Sequence, residues 1–239
     1  MEYRERTYRH KILKGNLTSF HVSIRETDLF ISSDRDLTEA ARDAVYRYRE
    51  FIETYIKSHP CFLTSLNPLP RDDLAPPIVR DMLESSQIAG VGPMAAVAGA
   101  IAQYVGYDLL KKARNVIVEN GGDIFLKSEN EIRVGIFAGE SPLSYKVALR
   151  IRPEETPLGV CTSSGTVGHS QSFGRADAIC VTARSASLAD AAATSIGNLV
   201  KGKGDIKRAL EVGTKMDGVL GIVIIVKDKL GAYGAIEIV

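Results

Sequence analysis

Apolar and polar side chains alternate where the chain first becomes regular. Phe20, Val22 and Ile24 are interleaved with His21, Ser23 and Arg25, and Leu29 and Ile31 resume after Glu26-Thr27-Asp28. A period of two broken by a polar triplet predicts a strand hairpin. From Leu37 the period lengthens. Leu37, Ala40, Ala41, Ala44, Val45, Tyr48, Phe51, Ile52, Tyr55 and Ile56 step by threes and fours while Arg42, Arg49, Glu50 and Lys57 take other faces, which predicts an amphipathic helix ending before Pro60. Five of the nine prolines follow, at 60, 68, 70, 76 and 77, so 58–76 is expected to be a surface connection. A short helix is expected over 77–84. Between Glu84 and Asp108 no residue is charged, and this stretch reads as a buried helix with Pro93 at a first helical position. Its length alone would suit a bilayer of about 30 Å. Gly90, Gly92, Pro93, Gly99, Gln103 and Gly106 punctuate it, however, and alanine supplies much of the rest, so a membrane span is not expected.

Further apolar runs predict strands at 115–119, 123–127, 132–137, 144–151 and 178–183, and helices at 188–200 and 205–212. A closing hairpin, 218–226 and 230–239, is expected around Lys227-Asp228-Lys229. The order is neither strictly alternating nor all-β. It predicts an α+β fold over 1–239 as a single domain, with antiparallel hairpins and helices packed on the sheet. Composition adds exclusions. Among 239 residues, 45% hydrophobic and 25% charged, the formal net charge is +1, so no global field would hold the chain on nucleic acid or an anionic membrane. The three cysteines, Cys61, Cys161 and Cys180, are widely spaced and odd in number, which argues against a disulfide framework or a self-contained zinc site. With a charged start, Met1 to Lys14, lacking an apolar run, they lead us to expect a cytoplasmic protein.

Four segments could carry chemistry. Glu119-Asn120-Gly121-Gly122-Asp123 reads as a tight hairpin turn, and equally as a place where Gly121 and Gly122 let backbone approach a ligand beside the Asp123 carboxylate. Cys161-Thr162-Ser163-Ser164-Gly165 runs on to His169 and Ser172, crowding hydroxyls, glycines and one imidazole where they could bind phosphate or sugar oxygens, or form a polar surface loop. Within it, His169 is a candidate base and Cys161 a candidate nucleophile; each could also be structural. In Ser187-Leu188-Ala189-Asp190, Ser187 and Asp190 have the spacing of a capping box, yet Asp190 and Thr194 also share a helix face and could ligate a hard cation. Finally, Gly92-Pro93-Met94 opens the uncharged helix, whose free amides could receive a phosphate, although close Gly/Ala packing would use the same residues.

The order of these segments resembles the ApbE family of magnesium-dependent flavin transferases, and the C-T-S-S-G-T-V-G-H-S and N-G-G-D-I segments are similar to a mostly archaeal and bacterial ApbE-like branch. The resemblance covers roughly Ser85 to Val239. It implies an ApbE-like domain in which Asp190 and Thr194 hold Mg2+, Gly121 and Gly122 lie on the flavin side, and Ser164-Gly165 form the Ser-Gly loop. The implied reaction places a metal against the diphosphate of FAD while an acceptor hydroxyl displaces AMP. The chain departs from the family where ApbE usually has Lys-Gly-Tyr, here Met94 to Gly99, and His-x-x-Asp-Pro, here His169 to Phe173. The expected function is therefore binding of a small phosphate-bearing ligand, with a flavin nucleotide and Mg2+ as the implied cofactors. Two alternatives stay open: an accessory role in sulfur assimilation toward homocysteine with Cys161 as its handle, and a non-catalytic module that binds a protein partner. A homo-oligomer stays open as well.

Overall fold

The computed structural model describes residues 17–163 and 174–239. The alternating stretch forms β1 (Thr18–Ile24) and β2 (Thr27–Ser33), with Arg25 in the turn at φ 54°. The turn is shorter than the expected polar triplet, because Thr27 is buried in the strand, where its hydroxyl accepts a hydrogen bond from Arg49. The amphipathic helix is α1 (Thr38–Ser58), which turns Ala41, Ala44, Val45 and Ile52 inward. The proline-rich connection contains one helical turn, α2 (Cys61–Thr64), anchored by the fully buried Phe62. Next, α3 (Pro77–Ala89) outruns its expected end at 84, since Ser85, Ser86 and Ala89 continue the buried face. It stops where Gly90 adopts the left-handed φ of 71°.

The uncharged stretch is not one helix. A 3-10 turn (Pro93–Ala96) leads into α4 (Val97–Leu110), and the Pro93–Leu110 segment meets α3 at 105°. Among the described residues no single helix is long and apolar enough to cross a membrane. The strands that follow are β3 (Val116–Asn120), β4 (Asp123–Lys127), β5 (Ile132–Gly135), β6 (Ala148–Ile151), β7 (Leu158–Ser163) and β8 (Ala178–Ala183). Then come α5 (Ala186–Leu199), α6 (Ile206–Gly213), β9 (Val219–Val226), β10 (Lys229–Gly234) and β11 (Glu237–Ile238).

Eight strands form one antiparallel sheet in the order β1-β2-β3-β4-β7-β8-β9-β10, and three form a second, β11-β6-β5. Both faces of the large sheet are covered. Val116, Val118, Phe125, Cys161, Ile179 and Val181 belong to the core shared with the helices, whereas Ile117, Ile124, Leu126, Val160 and Cys180 belong to the core shared with the small sheet. Successive residues thus alternate between two apolar layers, which is why these strands read as continuous apolar runs. The α+β class with antiparallel strands is as expected. Two details differ. Residues 141–146 turn rather than extend, with amide bonds from Ser144 to Ser141 and from Lys146 to Leu143. The closing hairpin ends at Gly234, where φ is 101° and an added Cβ would lie 2.2 Å from the Leu220 carbonyl oxygen, so only glycine fits, and β11 then joins β6.

Candidate functional site

The site begins at the β3–β4 turn. Gly121 and Gly122 take φ of 69° and 119°, so two glycines in succession supply the positive angles a two-residue connection needs, and Asn120 pairs with Asp123 across it. Asn120 itself is a strand residue whose amide donates to the Ala98 carbonyl at 3.1 Å, tying the turn to α4. Because Ile124 faces the small sheet and Phe125 the helices, Asp123 lies on the helix side. Directly opposite it in register is Cys161. Cys161, Thr162 and Ser163 are therefore strand residues of β7 rather than the start of a loop. The Thr162 amide donates to the Gly122 carbonyl at 3.1 Å, which holds the end of β7 against the glycine turn. Ser164, Gly165 and His169 lie outside the described residues.

Over this corner passes α5. Its N-cap is Ser185, whose hydroxyl accepts from the Leu188 amide, so the expected Ser187–Asp190 capping box is not formed. Asp190 instead serves another helix. The Gly99 amide in the first turn of α4 donates to Asp190 Oδ2 at 2.9 Å, and the Ala98 amide donates to the same carboxylate. A carboxylate is well placed there, since the first amides of a helix lack intrahelical acceptors. The approach depends on small residues: a Cβ on Gly99 would sit 2.1 Å from the Ala186 carbonyl oxygen, and one on Gly159 of β7 would sit 2.3 Å from Ala186 Cα. The buried Gln103 adds a second tie, accepting from the Ala186 amide at 2.7 Å and donating to Asp81 at 3.2 Å.

These contacts bring Asp123, Cys161 and Asp190 together, with one ligand atom of each within 4.8 Å of the others. Burial dominates their electrostatics. It pushes the Asp123 carboxyl up to about 7; the hydrogen bond from the Cys161 thiol opposes that shift and the nearby Glu119 adds to it. Asp190 is held well above the usual carboxylate range by burial and then by Asp123, against the pull of the Gly99 and Ala98 amides. The Cys161 thiol is likewise driven well up by burial, then by Asp123 and Asp190. Asp123 Oδ1 is sealed from solvent and has no hydrogen-bond partner among the described residues.

The remaining expected residues are placed as follows. Thr194 is half-buried and one helical turn beyond Asp190 on α5. Gly92 precedes the 3-10 turn, and a Cβ there would lie 1.8 Å from the Ser65 carbonyl oxygen, so it serves close packing. Met94 packs against the helix-side core. The free helix start expected at Gly92 is thus replaced by one at α4, where the anion received by the amides is the chain's own Asp190. In the sequence Gly99 and Gln103 stand out only as interruptions of the uncharged stretch, Glu119 only as the start of the glycine-turn segment, and Ala98 not at all. Gly99 within an alanine-rich helix was the one available signal of a close approach.

A profile of the family described as "AbpE bacteria" matches residues 9–232. The chain belongs to this family. A UPF0280 protein of Methanococcus aeolicus is 43% identical over 221 residues, covering 90% of this chain and 89% of its own length. A UPF0280 protein of Methanosarcina acetivorans is 40% identical over 219 residues, covering 90% and 86%. Among solved structures, the apo form of the flavinyl transferase ApbE of Pseudomonas stutzeri superposes with a TM-score of 0.58 at 12% identity, covering 91% of this chain and 94% of that one. The ApbE protein of Thermotoga maritima gives 0.54 at 12% identity, covering 93% and 96%. The fold of this AbpE-family chain is therefore that of the ApbE flavin transferases.

Proposed function

We propose that this protein holds a divalent cation beside a phosphate-bearing small molecule where β4, β7, α4 and α5 meet, a flavin nucleotide being the ligand that the ApbE-like fold favours. The observation that carries this reading is the pairing of Asp123 with Asp190, two carboxylates at close range and both pushed up by burial, with no hydrogen bond to Asp123 Oδ1 from the described residues. A carboxylate oxygen sealed from solvent without a hydrogen bond is costly, and a cation removes that cost. Oxygen donors suit a hard ion, and the Thr194 hydroxyl on the same helix face would complete the Asp190 pair implied by the family resemblance. A bound Mg2+-type ion supplies a counter-charge for phosphate oxygens. The chain's own residues contribute the rest. Gly121 and Gly122 present backbone without side chains beside the two carboxylates, and Ser163 at the end of β7 shares the Cys161 face, whereas Thr162 lies opposite Cys180 on the other face of the sheet. The sulfur-handling reading gains no support from the described residues, since the Cys161 thiol is buried and pushed up, the reverse of an activated thiol.

Calorimetric titration with Mn2+ tests the cation, and mass spectrometry of small molecules released from the purified protein tests the ligand. The wild type should bind Mn2+, Asp190→Asn should lose that binding, and the released material should contain a phosphate-bearing compound. Equal Mn2+ binding by both proteins would sink the assignment.

A further inference from the structure

We infer that Cys161 is a third ligand of this cation and biases the site toward a thiophilic divalent ion such as Co2+, Fe2+ or Zn2+ over Mg2+, an inference that rests on the cation-binding reading above. Cys161 faces Asp123 directly across the β4–β7 ladder, on the helix side, and its sulfur lies within 4.8 Å of a carboxylate oxygen from both Asp123 and Asp190. Three atoms each 4.8 Å from the others stand about 2.8 Å from their common centre, against about 2.3 Å for a metal–thiolate bond and about 2.1 Å for a metal–carboxylate bond. Sub-ångström movement therefore lets all three reach a common centre. The second observation is Asp123 Oδ1, an oxygen sealed from solvent that no described residue satisfies.

Donor softness sets the preference. Two carboxylates alone select hard ions, whereas a sulfur added to the set favours the later first-row divalent metals and does little for Mg2+. Coordination requires the thiolate: the S–H bond breaks, a metal–sulfur bond forms, and the proton passes to solvent without any redox change. Burial, which keeps the metal-free thiol protonated and inert, is compatible with this because a coordinated thiol is deprotonated by the ion itself. Cys180 faces the opposite core and Cys61 is exposed, so neither substitutes for it.

The test is the ultraviolet-visible spectrum of the purified wild-type protein titrated with Co2+, beside Cys161→Ser, with Mn2+ calorimetry on both. A sulfur-to-cobalt charge-transfer band saturating at one Co2+ per chain is expected in the wild type and lost in Cys161→Ser, which retains Mn2+ binding. A wild type that binds Mn2+ and Co2+ with no such band would overturn the inference and leave the cation site standing. A band that persists in Cys161→Ser would overturn it as well. No binding of any divalent ion would remove both readings. Because the wild-type spectrum alone decides whether sulfur is a ligand, failure of the variant to fold does not protect the inference.

Discussion

Asp190 accepts the amides that open α4 while its carboxylate lies beside Asp123 and Cys161. The two contributions separate by substitution. Asp190→Asn keeps an acceptor oxygen for Gly99 and removes the repulsion with Asp123, so urea denaturation should find it as stable as the wild type or more so. Asp190→Ala leaves buried amides unsatisfied and should lose about 1–3 kcal/mol. If the two variants were equally stable, Asp190 would not be holding α4. Gly99→Ala addresses the same contact from the other side. Its methyl carbon would lie 2.1 Å from the Ala186 carbonyl oxygen, backbone that cannot move alone, so a loss of at least about 2 kcal/mol is expected.

At the scale of elements, α5 carries Asp190 and Thr194, and its start is set by Ser185 rather than Ser187. Ser185→Ala should cost about 1 kcal/mol by removing the cap. Ser187 Oγ is buried with no hydrogen-bond partner among the described residues, so Ser187→Ala should be neutral or stabilising when both variants are compared by thermal melts; the reverse order would restore the capping box. These elements also show what the sequence made legible. The first helix was readable because its apolar stripe runs on one face over six turns' worth of side chains against a charged exterior. β7 was not, because Gly159, which admits Ala186, and the polar Thr162-Ser163 end interrupt the apolar pattern that marks strands. The break between α3 and α4 is marked in the sequence by Gly90 and Pro93, whereas the uniform lack of charge after Glu84 hides the continuation of α3 to Ala89. Asp123, Cys161 and Asp190 were each visible as candidates. Their meeting was not, since it depends on β4–β7 register and on the α4–α5 approach, neither of which leaves a local pattern.

Across the whole molecule, separate stretches of chain from α4, β4, β7 and α5 build one corner on the helix side of the large sheet, and the three cysteines sample three environments. Cys61 is exposed, whereas Cys161 and Cys180 are buried on opposite faces of the sheet. A thiol-directed alkylating reagent should therefore modify Cys61 in the native protein and reach the other two only on unfolding, as read by mass spectrometry; rapid native labelling of Cys161 would contradict this placement. The central claim is that this corner holds a divalent cation. Anomalous diffraction from crystals soaked in Mn2+ tests it most directly. The account predicts a single strong anomalous peak within bonding distance of carboxylate oxygens of Asp123 and Asp190, absent from Asp190→Asn crystals. A soaked wild-type crystal with no peak between these two carboxylates would contradict it.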